Sequence, residues 1–197
     1  MTRIQKDMKL FSNFIEKNST GKKVLWLFLF TNVVYVFMLA VTIPKTMDYS
    51  NGLKLLDMMP GGYDMDYVVE LFSSLGEEGR EFYLTKQIPV DFIYPVLFGL
   101  SYCLLLGYFL KKLNTLKSPL RYLCLIPLIA GISDYIENIG IITMLNSYPD
   151  LTSSSVAMVS SFSMIKSIST SVYFVILLIV LVCLGFVYLK KRKSGAV

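Results

Sequence analysis

The sequence predicts an all-α integral membrane protein. The predicted fold is a four-helix bundle with an N-terminal interfacial helix and an amphipathic extracytoplasmic helical segment between spans 1 and 2. Three observations predict it: four apolar runs of membrane-crossing length, the separation of basic from acidic connecting segments, and apolar residues at helical spacing between the runs. Hydrophobic residues make up 54% of the 197 and mean hydropathy is +0.58, against roughly 45–50% apolar content in ordinary globular domains.

A hydrocarbon core about 30 Å thick takes roughly 20 helical residues to cross. Val24–Ile43 ("VLWLFLFTNVVYVFMLAVTI"), Ile88–Leu110, Tyr122–Leu145 and a long fourth run, 156–189, meet that length. The first run is too long and wrongly flanked for a cleaved signal peptide, so it reads as a retained span.

Charge sets the orientation. Residues 1–23 hold Arg3, Lys6, Lys9, Lys17, Lys22 and Lys23 against Asp7 and Glu16. The 111–121 loop adds four basic residues and no acid, and the 190–197 tail adds Lys190, Lys191, Arg192 and Lys193. Residues 44–87 and 146–155 together carry four basic and nine acidic residues. Basic residues collect on the cytoplasmic side, which predicts a multi-pass protein of the cell membrane with both termini cytoplasmic. The basic pI is then a product of orientation, and no nucleic-acid partner is expected. The bilayer is the expected partner.

Cys103, Cys124 and Cys183 all fall within spans and form no CxxC pair, so thiol–disulfide exchange is not expected. There is no histidine, which disfavours the usual zinc and haem sites. No cofactor and no metal is expected.

The segments between spans are patterned too. Ile4, Met8, Phe11 and Phe14/Ile15 recur at helical spacing among Arg3, Lys6, Lys9 and Lys17, as in a helix lying on anionic lipid. After Pro60–Gly62, Asp64 is a candidate N-cap for a helix whose apolar face is Met65, Val68, Phe72 and Leu75. Gly76 is its expected stop, with a second short helix at 77–84 leading into span 2. Such a helix would serve either as a lid over a pocket or as packing on the bundle end. Ser160, Ser163, Ser167 and Ser171 fall on one face of span 4, suited to close helix contact.

The chemistry concentrates in span 3. In "GISDYIENIG", Asp134, Glu137 and Asn138 share one face at i, i+3 and i+4; Gly131, Ala130 and Pro127 continue that stripe. Two central acids cost roughly 5–7 kcal/mol on insertion, while the eleven Leu and Ile of the span return roughly 3–7. The segment is near neutral alone, so its acids need polar company. Asp91, one turn before Pro95, and Lys166, beside the serine face, are the expected company, with Tyr94 and Tyr102 supplying hydroxyls and Asn32 lying deeper. Counted from the cytoplasmic ends at 1.5 Å per residue, Glu137 lies about 22 Å up and Lys166 about 35 Å. Lys166 is expected to pair with Glu137 or Asp91 across a wide vertical gap, and Asp134 and Glu137 to titrate as a coupled pair.

Three functions fit. The first is an outward-facing pocket, transport-like or sensing, for a small molecule, proton or ion, built from Asp91, Asp134, Glu137, Asn138, Lys166, Tyr94 and Tyr102. Four helices are few for a transport path, so transport would call for a homodimer. The second is a structural protein whose polar network only specifies packing. The third is an intramembrane enzyme acting on a lipid or isoprenoid. The enzyme is least supported, since no nucleophile–base pair or phosphate-binding loop accompanies the acids.

Overall fold

A computed structural model describes residues 3–193. The side chains of Ile4 and Met8, part of the predicted interfacial stripe, and residues 194–197 of the basic tail lie outside the described residues. The described chain is helical, with no strand.

Helix α1 is Arg3–Asn18, and α2, Gly21–Phe37, passes through a π turn at Met38–Thr42 into α3, Ile43–Met47. Helix α4, Met65–Phe82, passes through a second π turn at Tyr83–Gln87 into the short α5, Ile88–Asp91. Then come α6, Tyr94–Lys112, a 3₁₀ stretch at Pro119–Leu125, α7, Ile126–Ser147, and α8, Ser153–Lys193. Four stretches are long and apolar enough to cross a membrane: Gly21–Ser50, Met65–Lys112, Pro119–Ser147 and Ser153–Arg192.

Prolines account for where these boundaries differ from the predicted ones. Pro44, Pro89, Pro95 and Pro127 each sit in the first turn of a new helical segment, where that segment's own ladder does not use the missing N–H. Span 1 therefore runs on past Ile43, and the segment before span 2 flows into it without a loop. Tyr122–Leu125, expected as α-helix, is the end of the 3₁₀ stretch before Pro127. Gly76, at φ 63° and ψ −173°, is non-helical and separates two helical segments of α4, as expected, with the second resuming immediately after it. Its positive φ requires glycine.

Helix α6 packs between α2 and α7, and α7 packs along α8. Two glycine crossings hold these helices close. A Cβ on Gly131 would lie 2.7 Å from the Pro95 carbonyl oxygen, and Gly140 faces the side chain of Val159 with no room for one. The apolar face of α4 (Val68, Leu71, Phe72 and Leu75) is buried with Ile141, Met144, Val156 and Val159, at the α7–α8 turn. Asp64 caps α4 by accepting a 2.9 Å hydrogen bond from the Tyr67 N–H.

Helix α1 differs from an interfacial helix in one respect: Ile15 is fully buried against Gly107 of α6, while Leu10 and Phe14 stay exposed. Leu25, Trp26, Phe30, Val33 and Val36 of α2, and Val172, Val175, Leu178 and Ile179 of α8, are also exposed. Apolar surface of that extent suits lipid rather than water.

Candidate functional site

The site begins with a broken helix. Pro95 has no N–H to offer the Asp91 carbonyl, so the ladder opens at Phe92 and Ile93 and α5 ends at Asp91. Tyr135 of α7 donates its hydroxyl to the Phe92 carbonyl at 2.7 Å, satisfying part of the opened backbone. This arrangement buries Asp91 (5% exposed) against α7.

The polar stripe of α7 faces inward. Asp134 is buried, and Glu137 and Asn138 are wholly so. Lys166 reaches them from α8, with its Nζ 2.5 Å from Glu137 Oε2 and 3.3 Å from Asp134 Oδ1. Among the described residues no ion pair joins Lys166 to Asp91, although Asp91 lies within its electrostatic reach.

The vertical gap expected between Lys166 and Glu137 does not exist. Helices α7 and α8 form a hairpin; Asp134 lies 13 residues before Ser147 and Lys166 lies 13 residues after Ser153. At 1.5 Å per residue both are about 20 Å from their shared turn. Counting from Leu189 misplaced the lysine because α8, at 41 residues, is longer than a bilayer is thick.

A third element completes the cluster, and the sequence did not single it out. Residues 57–63 form a strap across α8. Lys166 Nζ donates to the Asp57 carbonyl at 3.3 Å, Ser163 Oγ donates to the Met59 carbonyl at 3.1 Å, and Ser160 Oγ accepts from the Tyr63 N–H at 2.8 Å. The serine face thus ties down a loop instead of only admitting a helix. Gly62, at φ +79°, passes so close that a Cβ would lie 2.6 Å from Ser160 Oγ. The Asp57 carboxylate accepts a 2.8 Å bond from the Tyr83 hydroxyl. Burial pushes the Tyr63 hydroxyl well above the ordinary phenol range, and the Glu137 charge adds to the shift. A lone acid in "LKLLDMMP" was the available signal for Asp57.

These elements enclose a cavity of about 410 Å³. Asp57, Asp91, Asp134 and Lys166 make its polar end; Tyr35, Tyr94 and Phe98 line one side. Met38 and Leu39 on the π turn and Ile43 on α3, with Ser167, Thr170 and Ser171 on α8, complete the wall. The strap lines the cavity with Asp57, Met58 and Pro60; of the two roles open to α4, lid or packing, it contributes no lining residue and packs on the bundle end. Of the predicted pocket residues, Glu137 and Asn138 lie behind the cavity wall and Tyr102 also does not line it. Two turns beyond Tyr94, Tyr102 packs with Phe28, Phe98 and Tyr173, and its hydroxyl is turned to Asn32.

Four carboxyl groups (Asp57, Asp91, Asp134 and Glu137) thus surround one ammonium. Asn138 lies beside Asp91, yet neither amide atom makes a well-formed hydrogen bond among the described residues. Glu137 Oε1, both amide atoms of Gln87 and the Tyr63 hydroxyl also lack such a partner there. Buried polar atoms are normally satisfied, so this density of open valences marks the region as able to take further hydrogen bonds or charge. Among the described residues no group of three or more His, Cys, Asp or Glu is arranged to hold a metal ion. No family model matches this chain, and no curated protein and no solved structure matches it significantly.

Proposed function

We propose that this chain is a multi-pass cell-membrane protein, with both termini cytoplasmic, whose cavity beside Lys166 is a ligand-binding pocket in the outward half, serving transport or sensing. Four membrane-length helices and the one-sided distribution of Lys and Arg support the topology. The observation that carries the pocket is Asp91: a carboxyl group 5% exposed, lining a 410 Å³ cavity and in no ion pair among the described residues. An intramembrane acid is costly to keep, and one facing a cavity of ligand size fits a binding role.

A purely structural role draws on a different observation, the engagement of Lys166 by Glu137, Asp134 and the Asp57 carbonyl, which cross-braces α7, α8 and the strap. Asp91 separates the two readings because it stands outside that brace. The test is thermal unfolding of the full chain in lipid nanodiscs against sodium, potassium, and soluble and amphiphilic organic cations, with Asp91→Asn in parallel. A ligand at 100 times its Kd adds about 2.7 kcal/mol, or about 5–11 °C for a chain of this size. That stabilisation is expected in the parent and absent from Asp91→Asn. Stabilisation by none of the panel would leave only the brace.

A further inference from the structure

We propose that the pocket fills sideways from the bilayer and that its ligand is a single-chain amphiphile with a cationic amine or quaternary ammonium head. The proposal rests on the pocket reading above. The strap crosses one end of the cavity, held to α8 at Ser160, Ser163 and Lys166. The side of the cavity is open. The exposed lining residues are Tyr35 on α2 and Leu39 on the π turn after it, 40% and 44% exposed, with Ser171 on α8 and Pro60 on the strap. The surfaces flanking that rim, Val36 and Phe37 on one helix and Val172 and Val175 on the other, are exposed and apolar. The mouth therefore opens onto the face that suits acyl chains.

The head-group chemistry follows from the charges. Lys166 already contacts Glu137, Asp134 and the Asp57 carbonyl, so the carboxyl groups lining the polar end without an ion pair among the described residues are those of Asp91 and Asp57, and Asp57 already accepts from the Tyr83 hydroxyl. Tyr94 stands beside Asp91, stacked on Tyr35 with centroids 5.2 Å apart and 5.8 Å from Phe98. Aromatic faces next to a carboxylate favour an organic cation over an anion or a neutral polar group. The apolar part of the wall is Met38, Leu39 and Ile43, the first and last buried and Leu39 exposed; it receives the first part of a chain while the rest stays in the bilayer. Methionine adapts to such a chain without imposing one shape.

The test uses the full chain in phosphatidylcholine nanodiscs and a hexadecylamine probe carrying a diazirine on its chain, with labelled peptides mapped by mass spectrometry. Label is expected on residues 35–43 and 167–171, suppressed by excess hexadecyltrimethylammonium and not by hexadecyl sulfate. Asp91→Asn is expected to cut labelling about tenfold, the scale of one desolvated cation contact. Leu39→Trp, at an exposed rim position, blocks the mouth without touching the buried cluster and carries the test if Asp91→Asn fails to fold. Equal suppression by hexadecyl sulfate, or label spread evenly along α2 and α8, would overturn the proposal. Asp91-dependent stabilisation by tetramethylammonium without that labelling would also overturn it, while the pocket survives. If no cation, soluble or amphiphilic, stabilises the protein, the pocket reading falls as well.

Discussion

Replacing Lys166 by Met keeps most of the side-chain volume and removes the ammonium from between Glu137 and Asp134. In the parent Nζ lies 2.5 Å from one carboxylate and 3.3 Å from the other, and its side chain is only 16% exposed. Deleting one partner of a buried pair costs about 3–5 kcal/mol, because the remaining charge is left uncompensated in a poor solvent. The partial exposure of Lys166 points to the lower half of that range, about 3–4 kcal/mol, or a fall in Tm of about 6–16 °C at this chain length. The readout is a thiol-reactive dye, since Cys103 and Cys124 are buried and report unfolding; a Cys183→Ser background removes the exposed thiol. Lys166→Met combined with Asp134→Asn and Glu137→Gln should recover most of the loss, since neutral replacement of a whole buried pair is often tolerated. A Lys166→Met protein melting within about 2 °C of the parent, or a triple variant less stable than the single one, would refute the reasoning.

Two further perturbations probe the surroundings of the cluster. Gly131→Ala places a Cβ 2.7 Å from the Pro95 carbonyl oxygen; forcing α6 from α7 should cost about 1–3 kcal/mol, measured in the same melting assay. It should also weaken any Asp91-dependent ligand stabilisation, because the crossing sets the distance between Asp91 and α7. Ser160→Ala removes the acceptor of the Tyr63 N–H, a loss of about 1–3 kcal/mol if that group stays dry. Hydrogen exchange should then rise across residues 57–63 and remain unchanged in α6.

Much of the site was legible in "DYIEN". The i, i+3, i+4 spacing puts Asp134, Glu137 and Asn138 on one face in any helix, and lipid rejects that face, so their inward direction follows from the sequence. The four apolar runs follow from composition in the same way. Asp91 was legible as an acid within an apolar span, one turn before Pro95. Asp57 was not. Nothing local distinguishes an acid in a connecting segment from a solvated one; the three hydrogen bonds between α8 and the strap, with that from the Tyr83 hydroxyl, bring it to the cavity.

The sequence by itself determined which side chains could not face lipid, because period and transfer energy are properties of each helix alone. Tertiary structure decided which of them meet. The α7–α8 turn set Lys166 level with Asp134, and the strap, rather than α4, came to line the cavity. Those outcomes depend on the register between helices and on side chains far apart in the chain, and no single segment carries that information.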